Sequence, residues 1–216
     1  MTVPIISVVG RSDTGKTTLI EKLLTEMIKR GYKPATIKHD VHGFEIDKEG
    51  KDSFRHKKAG AKMTIISSPQ KIALVKDVEK DHEIDELAFN FINDVDIIIT
   101  EGYKKNNKPK IEVFRKEAYP DLLCSKKDNL IAIATNSKHN VNVPQFEIND
   151  AKGIVDLIED KFLNKRKKSS IVLEVNGRLI PLKPFLHTML LNSIKGLIYS
   201  LKGCNNSKKI VIKICN

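Results

Sequence analysis

The chain has 216 residues, of which 40% are hydrophobic and 30% charged, enough for one α/β domain and a smaller module. No apolar run approaches the roughly 20 residues of a membrane-spanning helix, and the N-terminus lacks the pattern of a secretion signal. The three cysteines, Cys124, Cys204 and Cys215, are odd in number and far apart, which argues against a disulfide framework or a metal knuckle and favours a reducing cytoplasm.

The net charge of +11 is concentrated near the C-terminus. Residues 165–216 carry 11 Lys and Arg and one acid, Glu174, whereas residues 1–164 are nearly neutral. This asymmetry indicates an acidic partner for the C-terminal part, or serves solubility alone. Nucleic acid is not favoured as that partner, because the aromatic residues there are only Phe185 and Tyr199, and Phe185 belongs to the apolar face of a predicted helix.

The N-terminal segment predicts a strand, a phosphate-binding loop and a helix in succession. Residues 4–9 are mostly apolar, and residues 10–17 read GRSDTGKT, which matches the pattern G-x-x-x-x-G-K-[ST]. Apolar residues then recur with helical period as far as Ile28, and Gly31 stands where the helix is expected to end. A glycine-rich turn before an ordinary amphipathic helix would leave the Lys-Thr pair unexplained.

The residue types of this loop indicate polyphosphate binding. Gly10 and Gly15 allow the backbone to wrap tightly with its N–H groups pointing inward, and the helix that begins near Lys16 adds free N–H donors. Lys16 can reach the β- and γ-phosphates, and Thr17 can place its hydroxyl on Mg²⁺. The residues predicted to hold the nucleotide here are Gly10, Arg11, Ser12, Asp13, Thr14, Gly15, Lys16, Thr17 and Thr18.

The next elements predict an α/β fold with a P-loop NTPase-like, doubly wound and mostly parallel sheet plus a hairpin. Strands are predicted at residues 34–38, 63–67, 71–75, 96–100, 111–114 and 130–134, the second and third forming the hairpin. Helices are predicted at 54–59, 84–92 and 154–162. Ligands of such sheets bind at the carboxyl ends of the strands.

A charged linker at 164–168 divides the chain into a nucleotide-binding domain, 1–164, and a basic accessory module, 165–216. In the module, Asn176-Gly177 predicts a type I′ hairpin between strands 171–175 and 178–182, pairing Leu173 with Ile180 and Ile171 with Leu182. A helix from Pro184 to Gly203 and a strand over 210–214 complete a predicted ββαβ unit. Because it is small, we expect it to pack on the first domain or on a second copy.

Two acids flank the predicted strand 96–100. Glu101 lies at its carboxyl end, beside the phosphate-binding loop, so we assign it to Mg²⁺ or the metal's water shell and, with Lys16, to catalysis. Asp96 lies at the other end and is interpreted as structural. Asp40 ends the preceding strand of this edge and is a second metal candidate, and Asp52 could reach the site from a loop, although capping or solvated roles remain open for both.

The polar stretch after residue 38 contains His39 and His42, whose spacing occurs in some metal sites. No cysteine or third ligand accompanies them, so a metal site is disfavoured; surface or hydrogen-bonded histidines are commoner, and contact with phosphate or a pterin ligand is the functional alternative. Asn136 follows strand 130–134 and could read guanine through paired hydrogen bonds. The guanine-reading pattern Asn-Lys-x-Asp is incomplete, so the spacing leaves both GTP and ATP open.

The chain resembles the MobB family, the molybdopterin-guanine dinucleotide biosynthesis adapter proteins. The matching segments are 8–19 (VVGRSDTGKTTL), 38–47 (KHDVHGFEID), 50–53 (GKDS) with 59–61 (AGA), and 96–104 (DIIITEGYK). They cover the first domain in the family's order. The phosphate-binding loop is shared with many unrelated enzymes, whereas the histidine stretch and Glu-Gly-Tyr-Lys are more specific.

The resemblance implies a GTP-binding, weakly GTP-hydrolysing and usually dimeric protein that assists the guanylyltransferase joining GMP to a molybdenum-pterin cofactor. It further implies that residues 10–18 hold the triphosphate, that Thr17 and Glu101 lie at Mg²⁺, and that the loop from His39 to Ser53 faces the nucleotide or a delivered molybdopterin. Asn136 stands where an acid is usual, which weakens its base-reading role. Residues 165–216 lie outside the matched part.

Two other functions remain open from the sequence. A metallochaperone-type GTPase would need a thiol- or histidine-rich metal site, for which the sequence offers only the pair His39 and His42. A small-molecule kinase with the same loop would need lid arginines, for which the chain has few candidates. No evident arginine finger or water-positioning Gln is present, so slow turnover is expected; Arg11 could contribute.

Overall fold

The computed structural model describes residues 3–40, 42–164, 171–205, 207 and 210–214, so the linker residues 165–168 and Cys215 lie outside the described part. The strands are β1 Ile5–Val9, β2 Pro34–Lys38, β3 Met63–Ser67, β4 Ile72–Lys76, β5 Ile97–Glu101, β6 Lys110–Phe114, β7 Leu130–Thr135, β8 Gln145–Glu147, β9 Leu173–Val175 and β10 Arg178–Ile180. The helices are α1 Lys16–Lys29, α2 Asp52–Lys58, α3 Ile84–Phe91, α4 Ala151–Ile158 and α5 Pro184–Tyr199. A 3₁₀ turn at Lys126–Asp128 was not predicted, and the predicted helix 154–162 ends in a π-helical turn at Glu159–Leu163 that continues α4.

Six parallel strands form the central sheet in the order β2-β5-β1-β6-β7-β8. This order confirms the doubly wound parallel sheet. The edge strand β8 escaped prediction because it has three residues, with Phe146 half-buried between two exposed neighbours. A strand this short has too few residues to show a period-2 pattern.

Both faces of the sheet are covered, as the uninterrupted apolar strands predicted. On one face α1 and α4 pack against β1, β5, β6 and β7. On the other face, α3 buries Ile84 against Ile5 of β1 and Ile98 of β5. The buried side chains of α1 and α4 are Leu19, Ile20, Leu23, Met27, Ile154, Val155 and Ile158. Of the helices in the described ranges, none combines the length and apolarity that crossing a membrane requires.

The β3–β4 hairpin forms a separate antiparallel sheet, as predicted. Its strands expose several large apolar side chains instead of burying them in the main core. These side chains are Met63, Ile65, Ile66, Ile72 and Leu74. By strand alternation Met63, Ile65, Ile72 and Leu74 share one face of the hairpin, which therefore offers an apolar surface for another molecule, whereas Ile66 lies on the opposite face.

The C-terminal module begins with the predicted hairpin. Leu173 pairs with Ile180, and positive φ angles at Asn176 (51°) and Gly177 (77°) identify the type I′ turn. The strands are shorter than predicted, because the expected pair Ile171–Leu182 lies outside them. Strand β10 contacts α3 of the first domain. Helix α5 has no fully buried residue, and four of its apolar side chains are exposed, namely Phe185, Leu186, Met189 and Leu197.

The prediction of a strand over residues 210–214 is wrong. These residues are described, but they belong to no sheet. Ile212 and Ile214 are 53% and 87% exposed, so the alternation of apolar residues is not matched by a covered face. A period-2 pattern forms a strand only where a sheet edge and a covering layer are available. The described module is therefore ββα.

Two charged residues are buried on β6. The ammonium of Lys110 donates to the carbonyl oxygens of Asn106 and Asp128. The carboxylate of Glu112 accepts hydrogen bonds from the backbone N–H groups of Leu123 (2.6 Å) and Cys124 (2.8 Å). Burial raises the pKa of Glu112, while these two hydrogen bonds oppose that shift. Lys110 and Glu112 thus hold the loops that flank β6 in place.

We expect Glu112→Gln to lower the free energy of unfolding by about 1–3 kcal/mol, because one accepting oxygen becomes an NH₂ group facing a backbone N–H. Urea unfolding followed by circular dichroism measures the change. Glu79→Gln, at an exposed position, is the matched control and should stay within about 0.5 kcal/mol of the parent. Equal losses in the two variants would contradict the structural role of Glu112.

Candidate functional site

The phosphate-binding loop connects β1 to α1 at the carboxyl edge of the sheet. A Cβ on Gly10 would lie 2.6 Å from the Val113 carbonyl oxygen, so this position has no room for a side chain. Gly15 has a φ of +96°, which favours glycine, and immediately precedes α1. The buried Thr14 hydroxyl donates to the Arg11 carbonyl oxygen at 3.0 Å. These features close the loop on itself, as an anion-binding backbone requires.

Lys16 is the first residue of α1, and its ammonium lies against the loop. Its Nζ donates to the Arg11 carbonyl oxygen at 2.6 Å. Burial lowers the pKa of Lys16, and the nearby Glu101 carboxylate acts in the opposite direction. The hydrogen bond is to a neutral carbonyl, so an incoming anion can replace it with a charge-assisted one.

Thr17 and Glu101, which the sequence assigned to Mg²⁺, are in direct contact. The Thr17 hydroxyl donates to Glu101 Oε1 at 3.1 Å. Glu101 ends β5 and lies in register between Val8 of β1 and Lys38 of β2, which places it at the carboxyl edge. A hydroxyl and a carboxylate are the oxygen ligands that Mg²⁺ prefers, so these residues fit that ion.

Asp96 lies at the opposite end of the same sheet region. Its Oδ2 accepts a hydrogen bond from the Lys33 backbone N–H at 2.9 Å, just before β2 begins. That contact joins two strands at the amino edge, away from the phosphate-binding loop. The structure therefore separates the two acids in the way the topology argument predicted.

The other acids proposed for the metal make local contacts. Asp40 Oδ1 accepts from the His42 backbone N–H at 3.0 Å, which forms a turn after β2. Asp52 begins α2 and lies 3.5 Å from the Arg55 guanidinium, with both side chains largely exposed. Within the described ranges, no group of three or more His, Cys, Asp and Glu residues is arranged to hold a metal ion.

His39 joins two segments of the carboxyl edge. Its ring stacks on Tyr103 at a centroid distance of 4.5 Å, and its Nε2 lies 2.7 Å from Asp81 Oδ2. Tyr103 comes two residues after Glu101, so the ring contact links the loop after β2 to the loop that follows Glu101. His42 is exposed.

The loop after β2 also lines a cavity of about 560 Å³ with α2 and β3. Two buried polar atoms there, Asp47 Oδ2 and Thr64 Oγ1, have no hydrogen-bond partner within the described part of the chain. Asp47 is held by its other oxygen, which accepts from the Ser53 hydroxyl at 2.9 Å. The basic side chains lining this cavity are Lys48, Lys51 and His56.

The segment 115–119, which we call the strap, contacts the phosphate-binding loop and was missed by the sequence interpretation. Arg115 Nε donates to the Thr14 carbonyl oxygen at 3.0 Å, and the Tyr119 hydroxyl donates to the Ser12 carbonyl oxygen at 3.1 Å. The Arg11 guanidinium carbon lies 5.1 Å from the centre of the Tyr119 ring. The strap thus binds two loop carbonyls and leaves the loop N–H groups to face an anion.

The position of Arg115 would have indicated the strap if the strand order had been known. Arg115 directly follows β6, and β6 is the neighbour of β1, with Glu112 in register with Val9. A residue just beyond the end of β6 must therefore lie beside Gly10 and its loop. That inference needs the strand order, which the sequence did not supply.

Asn136 follows β7, the next strand along the carboxyl edge. Its amide Nδ2 lies 2.7 and 2.8 Å from the two carboxylate oxygens of Glu117, the central residue of the strap. This hydrogen bond lowers the pKa of Glu117. The structure thus brings Asn136 to the strap, a contact that the sequence did not indicate.

Comparisons with known proteins converge on one family. The family model described as "Molybdopterin guanine dinucleotide synthesis protein B" (MobB) matches residues 5–136, from β1 to Asn136. The molybdopterin-guanine dinucleotide biosynthesis adapter protein of Escherichia coli is 37% identical over 161 residues, which cover 72% of this chain and 91% of that protein.

Two further matches concern the C-terminal module and the fold. The putative molybdopterin-guanine dinucleotide biosynthesis adapter protein of Methanocaldococcus jannaschii is 29% identical over 234 residues and covers 97% of both chains, so that alignment extends through the module. A crystal structure of molybdopterin-guanine biosynthesis protein B superposes with a TM-score of 0.58 at 25% identity, over 74% of this chain and 99% of that one.

We expect Arg115→Met to weaken binding of inorganic tripolyphosphate by about 3- to 10-fold, because the loop loses one hydrogen bond that fixes its shape. Isothermal titration calorimetry measures the affinity. Lys116→Met, which removes the same charge from the neighbouring exposed position, is the control and should bind nearly as the parent does. A similar loss in both variants would mean that only net charge matters.

Proposed function

The chain belongs to the MobB family and is an adapter of molybdopterin guanine dinucleotide biosynthesis, and from this premise we propose that it works as a GTP-binding protein that hydrolyses GTP slowly. The observation that carries the proposal is the meeting of Lys16, Thr17 and Glu101 at the carboxyl edge of the sheet. Glu101 is 84 residues from Thr17 in the sequence, and its contact with the Thr17 hydroxyl beside Lys16 supports a triphosphate site with a bound metal ion.

Each of these groups has a distinct task in the proposal. The loop N–H groups and the N-terminus of α1 would bind the β-phosphate, and the Lys16 ammonium would leave the Arg11 carbonyl for β- and γ-phosphate oxygens. Thr17 and Glu101 would hold Mg²⁺, which neutralises charge on the phosphates when bound. Water would attack the γ-phosphate while Lys16 stabilises the charge that develops there.

We expect Lys16→Ala to weaken GTP binding by about 100-fold, since two charge-assisted hydrogen bonds to phosphate are lost. Titration with a ribose-labelled fluorescent GTP in the presence of Mg²⁺ measures this. Lys29→Ala, at an exposed position in the last turn of α1, serves as the control. Unchanged affinity in Lys16→Ala would remove the basis of the proposal.

The proposed partners are the guanylyltransferase of the pathway and a molybdopterin-type cofactor. The cavity beside α2 supports the second of these. Lys48, Lys51 and His56 can pair with the phosphate of such a cofactor, while Asp47 Oδ2 and Thr64 Oγ1 need the kind of donor that a pterin ring carries.

We further propose that the protein is a homodimer, and the β3–β4 hairpin supports this. Its exposed apolar side chains would be covered if two copies paired through this surface. The two described cysteines, Cys124 and Cys204, are free, and burial raises the pKa of Cys124 to about 11. The absence of a disulfide between these two described cysteines supports a reducing setting, and we place the dimer in the cytoplasm.

Ile65→Asp should convert the dimer to a monomer, because a charge is costly in an apolar interface. Analytical ultracentrifugation at several protein concentrations measures the state of assembly. Ile65 is 59% exposed, so the variant should fold normally. Lys71→Asp, at the hairpin turn, is the control for a local charge change. A dimer that persists in Ile65→Asp would place the interface elsewhere.

A further inference from the structure

Glu117 is held beside the phosphate-binding loop by its neighbours in the strap. Arg115, two residues before it, contacts the Thr14 carbonyl, and Tyr119, two residues after it, contacts the Ser12 carbonyl. The residues on either side of Glu117 in the strap therefore contact the loop, and Glu117 itself contacts Asn136. Its partner Asn136 comes from the end of the next strand, β7.

The pair lies on the side of the loop opposite the proposed metal residues. Glu101 ends β5, on one side of β1, whereas Glu117 and Asn136 follow β6 and β7 on the other side. A nucleotide whose γ-phosphate is directed toward Thr17 and Glu101 must extend its ribose and base away from them. The base is then directed to the β6–β7 side of the edge, where these two polar side chains meet.

We propose that Glu117 and Asn136 together read the Watson–Crick edge of guanine, an inference that rests on the proposed GTP function. Guanine presents N1–H and a 2-amino group as adjacent donors, and O6 as an acceptor. The two Glu117 oxygens accept from the donors, while Asn136 Nδ2, displaced from the carboxylate by the base, donates to O6. Adenine presents its N1 lone pair at the same place, which would face the carboxylate with no hydrogen between them.

The ionisation and exposure of Glu117 and Asn136 are compatible with reading a base. The Asn136 hydrogen bond lowers the pKa of Glu117, so the carboxylate is ionised at neutral pH and acts only as an acceptor. Asn136 Nδ2 lies nearly equidistant from the two Glu117 oxygens, on the face of the carboxylate that a base would use, so a bound guanine takes its place and leaves the amide free for O6. Both side chains are exposed and thus accessible to a ligand. A charged acceptor of this kind discriminates strongly, because a mismatched base leaves it unpaired.

The test is direct titration of the full chain, with Mg²⁺, by ribose-labelled GTP, ITP, XTP and ATP. ITP lacks the 2-amino group, and XTP replaces it with an acceptor oxygen. The parent protein should bind GTP about 10-fold more tightly than ITP and more tightly still than ATP, as expected for loss of a hydrogen bond to a charged group.

Two variants separate the roles of the pair. Glu117→Gln should weaken GTP binding by about 10- to 100-fold. It should strengthen XTP binding, because the new NH₂ group donates to the oxygen at position 2 of xanthine. Asn136→Ala should weaken the binding of GTP and of ITP by the same factor, since both bases keep O6. Asp121→Asn, an exposed acid farther along the same segment, is the control and should keep the parent's order of nucleotides.

The outcomes distinguish the pair from the function on which it rests. If the parent prefers GTP while Glu117→Gln keeps the parent's ratio of GTP to XTP affinity, the base is read elsewhere and only the pair is overturned. If the parent binds ATP as tightly as GTP, or binds no nucleotide, the GTP function is overturned and the pair with it. Urea unfolding of each variant confirms that it folds.

Discussion

The parallel register of three neighbouring strands is the constraint on which the candidate site depends. Strands β5, β1 and β6 are neighbouring and parallel, so the residues that follow them lie together at the carboxyl edge of the sheet. Glu101, the phosphate-binding loop and Arg115 are far apart in sequence and are brought together there. A shift of one residue in either strand pair would turn Glu101 or Arg115 to the other face of the sheet. The buried apolar strands, covered by helices on both faces, hold that register.

The strap shows how a loop rich in inward N–H groups is kept in shape. A backbone that turns its N–H groups toward one side turns carbonyl oxygens toward the other, and those carbonyls need donors. Arg115 and Tyr119 supply two of them, while the Thr14 hydroxyl and the Lys16 ammonium both donate to Arg11. The loop is thus organised before any ligand arrives, which reduces the entropy that binding would otherwise cost.

Local sequence was sufficient for some of these features. The pattern of glycines, Lys16 and Thr17 between an apolar strand and an amphipathic helix predicted the loop, and the direction of the parallel strands separated Glu101 from Asp96. The contacts of Arg115 and Glu117 could not be predicted, because they depend on which strand neighbours β1. The failure at residues 210–214 has a related cause, since an apolar alternation does not show whether a sheet edge is available to pair with it.

The same contacts account for the slow hydrolysis that we propose. Two arginines lie close to the loop, but Arg115 is engaged with the Thr14 carbonyl and Arg11 lies over the Tyr119 ring. In the proposed reaction, stabilisation of a charge developing on the γ-phosphate would then fall to Mg²⁺, Lys16 and the loop N–H groups, without either of these arginines. The arrangement favours holding a nucleotide over turning it over. An adapter needs occupancy of its site, because a partner can recognise only a state that persists long enough to be bound.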